Sequence, residues 1–94
     1  MQLTDPELAD LAVLAAWGDE EAFLRLRSVC SGSVAAYLRS KVADPVVVEA
    51  LLAETFRVAW TTIGSYEPTA LPVQDWLLRV TQSAVTSRYA QGGR

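Results

Sequence analysis

The chain contains no histidine and a single cysteine, Cys30. Those two shortages remove most chemistry at once. A lone thiol cannot build a disulfide framework. Without histidine, neither a usual structural zinc site nor a serine–histidine or cysteine–histidine nucleophile can be assembled. Cys30 is expected as a buried, inert thiol on an apolar helix stripe. No apolar run approaches the ~20 residues needed to cross a bilayer. The N-terminus, MQLTDPEL, lacks the basic segment and apolar run of a secretory signal. There is no glycine-rich phosphate loop and no metal-ligand spacing. No cofactor is expected, and the chain does not read as an enzyme. A soluble, cytoplasmic protein off the membrane is the expectation.

Basic charge is scarce at the front. Asp5, Glu7, Asp10, Asp19, Glu20 and Glu21 precede Leu24 with no lysine or arginine among them. All eight basic residues follow, against the remaining five acids, for a net charge of −3. The overall sign argues against a strongly basic nucleic-acid binder, while the asymmetry leaves the second part mildly basic.

What is present is helical periodicity. Ninety-four residues, half of them apolar, suffice for one modest core. The expectation is an all-α fold: a compact bundle of about four helices over residues 1–90, then a frayed tail over 91–94. Thr4 and Glu7 have capping-box spacing, and Pro6 is tolerated in a first turn, so a helix is expected from about Asp5 to Ala16. Leu8, Leu11, Ala12 and Ala15 form its core stripe, Gly18 ends it, and Trp17 is expected to lie over the core as a lid. Asp19 caps a second helix, which runs to about Val42 with Phe23, Leu26, Cys30, Val34, Tyr37, Leu38 and Lys41 on one stripe. Ser31-Gly32-Ser33 predicts a kink or break in it.

Asp44 and Pro45 mark the clearest boundary and start a third helix that stops at Gly64. Val48, Leu52, Thr55, Phe56, Ala59 and Ile63 are expected inside, with Glu49, Ala53, Glu54, Arg57 and Thr61 outside. An irregular loop, Ser65–Leu71, follows. It carries Tyr66, which looks exposed, and the hydroxyls of Ser65 and Thr69. Pro72 opens a last helix to about Tyr89. Val73, Trp76, Leu77, Val80 and Ala84 face the core, and Asp75, Arg79, Gln82 and Thr86 form the opposite stripe. A loop aromatic ahead of a polar helix can take a single strand by stacking and hydrogen bonding. Tyr66, Thr69, Gln74, Arg79, Gln82 and Arg88 are the candidates. The plainer reading of Tyr66 is that it packs beneath its own loop.

The ordered set GDEEAF (Gly18–Phe23), YL (Tyr37–Leu38), DP (Asp44–Pro45), E-x-L-L-x-E-T-F-R-V-A-W (Glu49–Trp60), Y-E-P (Tyr66–Pro68) and W-L-L-R-V (Trp76–Val80) resembles region 2 of an extracytoplasmic-function sigma factor. The resemblance covers about Leu8 to Arg88. It implies a bacterial transcription-initiation domain that binds core RNA polymerase and recognises and melts the promoter −10 element. Glu49, Leu52, Ala53, Glu54 and Arg57 would face the β′ clamp coiled coil. Ser65, Tyr66, Glu67, Thr69 and Leu71 would hold an extruded non-template base. Gln74, Arg79, Gln82 and Arg88 would meet strand and backbone. An anti-sigma factor is a further implied partner.

The chain also departs from the family. Val47, Ala50 and Ala53 stand where two acids and a glutamine are common. Gln74, Gln82, Ser83 and Ser87 stand where the last helix is usually more polar or basic. Asp75 is spaced to pair with Arg79 and partly cancel its charge. These departures motivate a second reading. In it a sigma-like fold without promoter reading serves as a protein-interaction module, pairing through Val46, Val47, Ala50 and Ala53 with a partner or with itself.

Overall fold

A computed structural model describes residues 4–67 and 71–92 of the chain. Its four helices follow the capping chemistry closely. Helix α1 spans Asp5–Ala16. The Thr4 hydroxyl accepts from the Glu7 N–H, and the Glu7 carboxylate accepts from the Thr4 N–H at 3.0 Å, completing the capping box. At the other end Gly18 takes φ +98°. The Gly18 N–H bonds the Ala15 carbonyl at 2.9 Å and the Asp19 N–H bonds Leu14 at 3.1 Å, a Schellman closure that needs a left-handed residue.

Helix α2 spans Glu20–Lys41, with the Asp19 carboxylate accepting from the Ala22 N–H at 3.1 Å. It is unbroken. The break expected at Ser31-Gly32-Ser33 does not occur, because the apolar stripe continues through it. Cys30, Val34 and Ala35 are buried on either side of the exposed Gly32 and Ser33. Packing on one face outweighs weak helix propensity on the other.

Helix α3 spans Pro45–Thr62 from an Asp44 cap, whose carboxylate accepts from the Val46 N–H at 2.9 Å. It tightens into a 3₁₀ turn at Ile63–Ser65, so the chain passes through Gly64. Hydroxyls compete for the last carbonyls: Thr61 and Thr62 both donate to Val58, and Ser65 donates to Thr62, each at 2.8 Å. Helix α4 spans Val73–Gly92, past the expected end near Tyr89. There is no strand among the described residues, and no helix is long and apolar enough to cross a membrane.

Consecutive helices pack on one another, and α2 also meets α4. The core joins Leu8, Ala12 and Ala15 of α1 to Leu26, Cys30, Val34 and Leu38 of α2. Val48, Leu51, Phe56 and Ala59 of α3 and Val73 and Leu77 of α4 complete it. Among the described residues, two hydroxyls are fully buried. Thr55 donates to the Leu51 carbonyl at 2.8 Å and Thr81 to Leu77 at 2.7 Å, which satisfies both inside their own helices. Leu51 is buried where Leu52 was expected; Leu52 is half-buried. Trp17 is not a lid. It lies nine positions after Leu8, about half a turn away from the core stripe, and is 87 % exposed.

Candidate functional site

The outer face of α3 follows from its register. Once Val48, Leu51, Thr55, Phe56 and Ala59 turn inward, Glu49, Ala53 and Arg57 must turn out, and all three are exposed. Leu52 serves the core in part rather than standing free. Glu54 and Arg57 are joined in a two-pronged ion pair, Nε to Oε1 at 2.9 Å and a terminal guanidinium nitrogen to Oε2 at 2.7 Å. Hydrogen bonding to Arg57 holds the Glu54 carboxyl below the usual carboxylate range, and the same contact raises Arg57. The pairing expected between Asp75 and Arg79 is not formed. Glu54–Arg57 is the ion pair among the described residues, and its three-residue spacing was a signal available in the sequence.

The loop before α4 is built differently from the expectation of an exposed aromatic. Tyr66 is buried, its ring centroid 5.3 Å from that of Trp76, and its hydroxyl donates to the Leu71 carbonyl. It packs on Trp76, so its ring is not presented for stacking. Ser65 is exposed and Glu67 beside it is exposed, while Leu71 is half-buried. Thr69 lies outside the described residues.

On α4, Gln74 is half-buried, whereas Arg79, Gln82 and Arg88 are exposed. Arg88 and Ser87 border a polar cleft of about 420 Å³ with Ala50, Leu51, Glu54 and Ala84. The fold thus brings Arg88, expected to meet nucleic acid, to the same cleft as Glu54, expected to meet protein. Gln74 and the loop lie toward the other end of α4.

A second concavity was not anticipated. Phe23, Leu24 and Arg27 of α2 and Ala53, Phe56, Arg57 and Trp60 of α3 line an apolar groove of about 320 Å³, with Glu20 at one end. Phe23 packs on Trp60 with centroids 5.0 Å apart, and the Arg27 guanidinium sits 5.5 Å from the centre of the Phe56 ring. These contacts run up α2 as they run down α3, so the helices are antiparallel. The sequence signal was the Phe23/Arg27 and Phe56/Trp60 pairs, each four residues apart. What hid the groove is that Phe23 and Phe56 also read as core. No family model matches the chain, and neither the curated proteins nor the solved structures supply a match.

Proposed function

We propose that the chain is a sigma-type region 2 domain whose α3 outer face docks on core RNA polymerase and whose α4 outer stripe faces −10 promoter DNA. The observation that carries this reading is the sorting of the motif residues by the bundle. Leu51, Phe56 and Ala59 of α3 and Leu77 of α4 go inside, with Leu52, Trp60 and Trp76 half-buried against them, while Glu49, Ala53 and Arg57 on α3 and Arg79, Gln82 and Arg88 on α4 are exposed and Glu54 is half-buried. The buried Tyr66 shifts the role of base capture to the rim, Ser65 and Glu67, and to α4. The test is titration of the purified chain against core polymerase and against fluorescent single-stranded −10-like oligonucleotides, separately and together. Polymerase binding weakened by Arg57→Ala, with sequence-dependent DNA binding weakened by Arg79→Ala, supports the reading. If Arg79 and Arg88 each meet one phosphate, log K falls with log salt at a slope of only about −1.4. A steep slope, or no binding to polymerase, refutes it.

One observation favours the second reading, a sigma-like interaction module without promoter reading. Val46 is 75 % exposed at the start of α3, and the exposed Ala50 and Ala53 continue that side of the helix. Val47 is half-buried against the core. Polymerase binding without discrimination among oligonucleotides would select this reading.

A further inference from the structure

Five large apolar residues stand exposed among the described residues, and three of them, Val13, Leu14 and Trp17, belong to the end of α1. They are aligned. Pro6, Asp10, Val13 and Trp17 follow one another at i, i+4, i+7 and i+11, so at about 100° per residue they share one side of the helix. That side lies about half a turn from Leu8, Ala12 and Ala15, which pack inward. Leu14 flanks the row, about 60° from Trp17. All five are exposed, Trp17 to 87 %. A lone exposed apolar side chain is ordinary, but an aligned set ending in an open tryptophan has the makings of a protein-binding face.

The charge beside this face is mostly of one sign. The first 23 residues hold six acids and no base. Asp10 stands in the row, and Glu7, also exposed, lies about 60° from it. The last turn of α1 carries no basic residue, so the negative end of its dipole, at Trp17, is unopposed. Arg25 of α2 comes near, sharing a shallow hollow with Glu7, Asp10 and Leu11. Glu21 stands one turn before Arg25 on the same side of α2. Glu20 belongs to the α2–α3 groove with Arg27, and Asp19 is engaged in the α2 cap. Glu7, Asp10 and Glu21 against Arg25 still leave the margin negative.

We infer that the outer face of α1 docks an amphipathic helix of a partner protein, one whose apolar row is bordered by lysine or arginine. The partner's apolar row lies along Val13, Leu14 and Trp17. Its cations meet Asp10, Glu7 and Glu21, and one sits over the Trp17 ring beside the end of α1. Like charge disfavours an acidic partner, and it equally opposes pairing of two copies face to face through α1. Three apolar side chains make a small contact, so the expected Kd is about 10–100 µM. The inference is independent of the sigma-type reading, because none of the residues given to polymerase or DNA lies on α1.

NMR titration of the full chain with a synthetic peptide tests it. The peptide is a helix of about four turns with leucines at i, i+3, i+4, i+7 and i+11 and lysines beside them. One control peptide replaces the lysines by glutamates. A second keeps the composition but scrambles the order, so that no apolar row forms. The lysine peptide should shift the Trp17 indole N–H signal, and both controls should bind at least about tenfold more weakly. Affinities of variants are read from the anisotropy of labelled peptide, with unchanged circular dichroism as the control for folding. Trp17→Ala should weaken binding at least about tenfold. Asp10→Asn should weaken it about twofold to fivefold in low salt and little in high salt. Leu24→Ser, in the α2–α3 groove, should leave it unchanged. No binding of the lysine peptide, equal binding of either control, or indifference to Trp17→Ala overturns the inference. Loss of binding in Leu24→Ser instead puts the peptide in the groove and overturns it too. A Trp17 signal that shifts with the concentration of the chain alone assigns the face to a second copy, which also overturns it.

Discussion

The Tyr66 hydroxyl donates to the Leu71 carbonyl, joining the two ends of the segment between α3 and α4. One side chain thereby ties the end of the 3₁₀ turn to the entry of α4, while its ring rests on Trp76. Tyr66→Phe keeps the ring and removes the tie. It should cost about 1 kcal/mol in urea unfolding with the helical signal intact. Tyr66→Ala would also strip the packing on Trp76, so a loss of binding in that variant would not separate recognition from stability.

Two glycines should respond in opposite directions to the same change. Gly18 holds φ +98°, where an L side chain is strained even though a Cβ there would meet nothing within 4 Å. Gly18→Ala should destabilise by about 1 kcal/mol. Gly32 lies within α2, its Cβ direction also open. Gly32→Ala should stabilise by about 0.5–1 kcal/mol, by restricting the unfolded chain and favouring helix. Thermal melts of the two variants side by side check both signs.

Cys30 is 1 % exposed, and burial pushes its thiol up to about 11. At about pH 8, where an ordinary thiol is partly ionised, the folded chain should not react with a disulfide reagent. One equivalent should react promptly in denaturant. Reaction at the same rate in both states would place the thiol outside the core.

Acid should weaken the fold through two carboxylates. Hydrogen bonds from the Thr4 backbone and hydroxyl hold Glu7 below its ordinary value of 4.5, and hydrogen bonding to Arg57 does the same for Glu54. A carboxyl depressed in the folded state adds stability that is complete above the unfolded value and is lost as pH falls through the folded one. The melting temperature should therefore be insensitive to these groups near neutrality and drop below about pH 4.5. Glu7→Gln, which preserves the capping geometry, should flatten part of that drop.

Much of the fold was legible because local chemistry and burial agree. Thr4, Asp19 and Asp44 each cap the helix assigned to them, and Gly18 takes the left-handed conformation its position requires. The departures arise where tertiary contacts decide. Gly32 and its serines read as a break, yet a helix packed along one side tolerates weak formers on the other. Leu51 and Leu52 are adjacent leucines about 100° apart, and nothing local says that α4 packs nearer the first. The candidate site was legible as exposed polar stripes. Tyr66 went inside because its ring finds Trp76 and its hydroxyl the Leu71 carbonyl, contacts no local pattern announces, and the groove stayed hidden because its aromatics serve the core and the surface together.

Helix α2 carries Glu20 and Glu21 in its first turn and Arg39 and Lys41 in its last. Each pair offsets the backbone dipole at its own end. The 22 residues of the helix span about 33 Å from its acid turn to its basic turn. Neighbours temper each end: Arg27 and Arg57 line a groove with Glu20, and Glu49 lies by Arg39. The gradient along α2 is therefore a local device that steadies this helix against its own dipole. At physiological salt, where fields fade over about 8 Å, it works within each terminal turn, and its contribution will shrink as salt is added.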